Sequence, residues 1–77
     1  MKTFIKRPVR VKAVQLTKEM TAGKGMPDEV WYNNGKFFIQ TLEGIMSAEI
    51  GAWFILGNHG EHWFIKDNIF KDNYVEV

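Results

Sequence analysis

The chain has no cysteine. That absence removes disulfide staples, thiolate metal ligands and thiol nucleophiles together. It has a single serine, Ser47, with no histidine near it in sequence, so the pairing of nucleophile and base that covalent catalysis needs is missing. No apolar run approaches the ~18 residues of a membrane-spanning helix. The early positive residues Lys2, Lys6 and Arg7 are followed by no apolar stretch of signal-peptide length, so a cytoplasmic protein is expected. Neither sign of charge dominates: ten Lys and Arg face nine Asp and Glu, a net charge of +1. Whole-molecule steering toward nucleic acid is excluded by that balance, although a local patch is not.

What the chain does have is aromatic bulk. At 77 residues it has room for one domain and one core, and domains this small bury a modest share of their surface. Six Phe, three Trp and two Tyr offset this, because each ring buries a large apolar area. The charge is also unevenly placed. Lys2, Lys6, Arg7, Arg10 and Lys12 fall within the first twelve positions with no acid among them, and the acids begin at Glu19.

The pattern along the chain is that of short strands. From Pro8, the residues Val9, Val11 and Ala13 alternate with Arg10, Lys12 and Val14 before Gln15-Leu16-Thr17, a period of two that marks a half-buried strand. Residues 18–28 hold Gly23, Gly25 and Pro27 and read as a loop with one helical turn near Thr17–Ala22. Asn34-Gly35 sits between Glu29-Val30-Trp31-Tyr32-Asn33 and Lys36-Phe37-Phe38-Ile39-Gln40-Thr41-Leu42. It predicts a two-residue type I′ hairpin pairing Tyr32 with Phe37, Trp31 with Phe38 and Val30 with Ile39. Val30, Tyr32, Phe37 and Ile39 then share the core face, and Trp31 and Phe38 share the other.

After Glu43-Gly44 come three further apolar stretches, Ile45–Ile50, Ala52–Leu56 and Glu61–Lys66, with a turn at Gly57-Asn58-His59-Gly60. Asp67–Asn73 predicts one helical turn capped by Asp67, and Tyr74–Val77 a last short strand. Six or seven short strands at this rhythm are expected to form a mainly β domain, a small antiparallel barrel or a strongly curved sheet. Side chains fill the interior of a barrel this small, which leaves no internal ligand cavity.

A set of residues extends this reading: Lys6-Arg7-Pro8-Val9, then Val11, Ala13, Val14, Gln15 and Thr17; Thr41-Leu42-Glu43-Gly44; Gly51-Ala52-Trp53-Phe54-Ile55; Gly57; Gly60-Glu61; and Ile69-Phe70 with Tyr74. In these the chain resembles a family of small uncharacterised proteins of tailed phages and prophages. Residues 18–40 lie outside the resemblance, and Ile50-Gly51-Ala52 stands where family members usually read Pro-Gly-Asp. The resemblance implies a phage origin and expression in a bacterial host cytoplasm. It brings no catalytic residue.

The remaining candidates are side-chain groupings. His59 and His62 flank a predicted turn around Glu61. A metal needs three or four convergent ligands, so they read as a turn histidine and a strand histidine, and neither metal nor cofactor is expected. Glu43, Glu49 and Glu61 read as surface acids, Gly23-Lys24-Gly25 lacks the surroundings of a phosphate loop, and no enzyme activity is expected. If Phe54, Trp63 and Ile65 point inward, Trp53 and Phe64 point outward and join Trp31 and Phe38 as an exposed aromatic surface. A C-terminal turn carrying Ile69 and Phe70 that folds over the sheet would bury them instead. The expected function is that of a small phage-type accessory binding protein contacting a host protein or a sister subunit through Trp31, Phe38, Trp53 and Phe64, flanked by Arg7 and Arg10. The alternative is a nucleic-acid or nucleotide-binding barrel, in which bases stack on rings and the basic N-terminal strand follows phosphates.

Overall fold

The computed structural model describes residues 1–5 and 8–77. Among these the elements are β1 (Lys12–Gln15), β2 (Trp31–Asn33), β3 (Lys36–Thr41), β4 (Gly44–Ala48), β5 (Trp53–Leu56), β6 (His62–Ile65) and α1 (Asp67–Asn73), with a 3-10 turn at Lys18–Ala22 between β1 and β2. The protein is mainly β, in two antiparallel three-stranded sheets ordered β1-β5-β6 and β2-β3-β4. The described strands close no barrel and form no single curved sheet. The β2-β3-β4 meander is a contiguous insertion between β1 and β5, which pair with each other from Lys12↔Leu56 to Gln15↔Trp53.

The turn chemistry accounts for the meander. Asn34 and Gly35 take φ of 50° and 84°, the positive angles of a type I′ turn that only such residues adopt cheaply. The hairpin register is therefore Trp31↔Phe38, Tyr32↔Phe37 and Asn33↔Lys36. Strand alternation then sends Phe37 and Ile39 inward, both completely buried, while Phe38 faces the other way and is half-buried. Val30 joins the inward set at 5% exposure, although its amide bonds back to the Pro27 carbonyl and it lies outside β2.

The core lies between the sheets. It contains Phe37 and Ile39 from β3, Phe54 from β5, Phe64 from β6, and Leu16, Met20 and Val30 from the connecting segments. The 3-10 turn is what aims Met20 inward. Gly23 ends it in the left-handed region and donates its N–H to the Met20 carbonyl. His62 adds a polar tie between the layers: its Nε2 donates to the Gln40 carbonyl oxygen at 2.7 Å, joining β6 to β3.

The second sheet corrects the expected facing of its aromatics. Phe54 and Phe64 are cross-strand partners, and directly opposed residues point to one side. Both therefore enter the core, at 4% and 8% exposure, with their rings 6.3 Å apart edge-to-face. Trp53, Ile55, Trp63 and Ile65 occupy the opposite face. Phe64 is thus a core residue and not part of an exposed surface, and Trp63 and Ile65 do not accompany Phe54 inward.

Helix α1 covers that opposite face. Phe70 stacks on Trp53 with centroids 4.0 Å apart and planes at 12°, and Tyr74 stacks on Phe70 at 5.1 Å. Ile55, on the same face as Trp53, is completely buried. Asp67 is the first helical residue and not the cap, which is Lys66. Its carboxylate instead accepts the Trp53 indole N–H at 2.9 Å. Tyr74–Val77 form no strand, because Tyr74 is engaged in the ring stack.

Candidate interaction surface

Helix α1 packs on the outer face of one sheet through Phe70; among the described residues no such layer lies on the outer face of β2-β3-β4. Alternation and register place Trp31 and Asn33 of β2, Lys36, Phe38 and Gln40 of β3, and Ile45 and Ser47 of β4 on it. Trp31 and Phe38 are directly opposed, and their rings stack with centroids 6.0 Å apart at 18°. Trp31 remains 41% exposed and Ile45 62%. The face therefore presents a rigid aromatic pair beside an aliphatic side chain. The Asn34-Gly35 turn fixes the pair's geometry, since it alone sets which residue of β3 stands opposite Trp31.

The other expected contact residues are distributed differently. Trp53 is half-buried under Phe70, with its indole N–H bonded to Asp67. Phe64 is in the core. Arg10 is exposed in the segment leading into β1, which belongs to the other sheet, so the structure does not bring it onto the Trp31–Phe38 face. Arg7 lies outside the described residues. Of the six residues, Trp31 and Phe38 share one surface.

Two clefts mark the places where the sheets part. One, of about 630 Å³, runs along β4 and is lined by Met46, Ala48, Ile50 and Phe64, with Lys36 and Lys66 against Glu49 and Asp67 among its charged members. The other, of about 180 Å³, lies between β1 and the approach to β2, lined by Lys12, Val14, Pro27, Glu29, Phe54 and Leu56. Sequence reasoning missed both, because they exist only where two sheets fail to close. The one available signal was that Ile45–Ala48 carries no charge and no proline although it lies beside a turn.

The electrostatics of the described residues centre on Asp67, at the rim of the larger cleft. It accepts from Trp53, approaches Gln15 Nε2 at 3.4 Å, and pairs with Lys71 Nζ at 3.1 Å. The indole hydrogen bond first, and Lys71 second, hold its carboxyl below the usual carboxylate range. The bonds from Trp53 and Gln15 tie α1 to its sheet, a structural task, while the Lys71 pair lies within the helix. Among the described residues no three His, Cys, Asp or Glu side chains gather as metal ligands, and no helix is long and apolar enough to cross a membrane. His59 is an exposed turn residue, and His62 is committed through Nε2 to the Gln40 carbonyl oxygen.

No protein-family model, curated protein or solved structure matches this chain.

Proposed function

We propose that the protein is a small binding module whose contact surface is the outer face of β2-β3-β4, with Trp31 and Phe38 as its anchor and a host protein as its partner. The observation that carries this reading is the stacked, part-exposed Trp31–Phe38 pair on a sheet face with no covering layer among the described residues. Large rigid rings lose little conformational entropy on binding and exclude much water, which is why Trp dominates interface hot spots. The phage accessory role and host cytoplasm rest on the sequence resemblance, and they suit a partner of bacterial origin.

The nucleic-acid alternative needs rings and cations on one surface. Arg10 and Lys12 lie on or next to the other sheet, and Lys36 is the only base in the strands of the aromatic face. The protein-binding reading is therefore preferred.

The test is affinity capture from bacterial lysate with the parent chain and with Trp31→Ala and Phe38→Ala. The expected result is one partner retained by the parent and lost by both variants, with far-UV circular dichroism unchanged. Retention of the same partner by both variants sinks the site. A steeply salt-dependent affinity for single-stranded oligonucleotides would move the reading to the alternative.

A further inference from the structure

The chain has five asparagines. The residue after each decides how readily the next backbone nitrogen can attack the side-chain amide. Asn33 precedes Asn34, Asn58 precedes His59, Asn68 precedes Ile69 and Asn73 precedes Tyr74, whereas Asn34 precedes Gly35. Glycine has no Cβ, so its nitrogen is unhindered and its backbone turns freely.

The fold leaves this one pair open to water. Asn34 and Gly35 are both exposed, and a side chain placed at Gly35 would meet nothing within 4 Å. Among the described residues no hydrogen bond occupies the Asn34 side-chain amide or the Gly35 N–H. In the closed turn Asn34 has φ of 50°, and attack on its side chain requires its backbone to rotate out of that left-handed conformation. The rotation needs only local opening. β2 has three residues and is an edge of its sheet, and short edge elements with exposed backbone bonds lie at the low end of the scale of opening free energies.

We infer that Asn34 is a site of self-modification by deamidation, and that the product formed decides whether the Trp31–Phe38 pair survives. The Gly35 nitrogen attacks Asn34 Cγ. A C–N bond forms, the Cγ–Nδ2 bond breaks, and ammonia leaves with the proton of the Gly35 amide. Water then opens the cyclic succinimide at either of its carbonyls. Opening at Cγ restores the original backbone and leaves aspartate at position 34. Opening at the main-chain carbonyl leaves isoaspartate, whose backbone runs through Cβ and Cγ and is one carbon longer. Asp-Gly supports the same type I′ turn, so the aspartate product keeps Trp31 opposite Phe38 and only lowers the formal net charge of +1 by one. A two-residue turn sets its register by its length. The longer isoaspartate backbone therefore breaks the Asn33↔Lys36 pair and the ring stack that follows from it. The contact surface thus has a chemically set lifetime. That consequence rests on the function proposed above, and the modification itself does not.

The test is incubation of the full chain in warm, mildly alkaline buffer, followed by peptide mapping that separates amide, aspartate and isoaspartate. The expected result is conversion at position 34 to both products while Asn33, Asn58, Asn68 and Asn73 keep their amides. The native rate should be about tenfold below that of the urea-unfolded chain, the factor imposed by local opening of an edge hairpin. Asn34→Gly retains a turn-compatible Gly-Gly pair and should lose the conversion. In nuclear magnetic resonance spectra, the Overhauser contact between the Trp31 and Phe38 rings should persist in Asn34→Asp and vanish from the purified isoaspartate chain. A native chain whose Asn34 keeps its amide as long as the other asparagines do, or an isoaspartate chain that retains the ring contact, would overturn the inference. Neither readout needs a partner, so a failed capture experiment with Trp31→Ala leaves the modification standing.

Discussion

Phe64 and Trp31 show how far one side chain's burial depends on its partner across the ladder. Trp31 faces Phe38 on an open sheet face, whereas Phe64 faces Phe54 inside the core. Phe64→Ala should therefore cost about 3–5 kcal/mol in urea unfolding, and Trp31→Ala less than about 1 kcal/mol. Equal costs would place Trp31 in the core and remove it from the contact surface. Asp67 gives a prediction in pH. Its native carboxyl titrates below its unfolded value, near 3.9, because the indole N–H and Lys71 favour the charged form. The stabilisation is present above that unfolded value and is lost as pH falls through the lower native one. Tryptophan fluorescence should change below about pH 4 as α1 loosens, and Asp67→Asn should remove this step while weakening the helix contact at neutral pH.

At the scale of elements, local chemistry was legible and sheet-to-sheet placement was not. The Asn34-Gly35 hairpin, its register and the inward set Val30, Tyr32, Phe37 and Ile39 could be read directly, since positive φ and a period of two are properties of neighbouring residues. The 3-10 turn at Lys18–Ala22 and the helix at Asp67–Asn73 could be read for the same reason. The faces of β5 and β6 could not, because Trp53–Leu56 of β5 and Trp63–Ile65 of β6 are unbroken apolar runs, which carry no alternation to orient them. In the structure Phe70 of α1 stacks on Trp53 on one face, and Phe54 and Phe64 pack into the core on the other. The turn itself is the element most exposed to a single change. Gly35 has φ of 84° and open space around its Cα, so Gly35→Ala brings no clash and only conformational strain. It should cost about 1 kcal/mol in the denaturant midpoint and disturb the Trp31–Phe38 pairing more than the Trp53–Phe70 stack.

On the scale of the whole molecule, the expected barrel became a two-sheet stack with a helix on one side. The rhythm of short strands is common to both architectures, and closure depends on whether the last edges meet. Here the two sheets are tied by the His62–Gln40 bond between β6 and β3, and part along the larger cleft beside β4. Aromatic content was a sound guide to the existence of a core but not to its boundary, because this chain has two apolar layers, one between the sheets and one beneath α1. The candidate contact surface was legible to the extent that it depended on the hairpin register, which covers Trp31 and Phe38. The clefts were not legible beyond the uncharged Ile45–Ala48 stretch, because they depend on how two sheets part.

The nesting of the meander between β1 and β5 has a kinetic consequence. Hairpins joining sequence neighbours form in about microseconds, while pairing Gln15 with Trp53 must first close the loop that contains the entire β2-β3-β4 sheet, at an entropic cost that grows with its length. The aromatic pair at Trp31–Phe38 should therefore assemble before the ends of the insertion meet. In stopped-flow refolding of single-tryptophan variants, the Trp31 signal is expected to appear ahead of the Trp53 signal, so that the surface proposed for recognition matures while the rest of the chain is still searching for its stem.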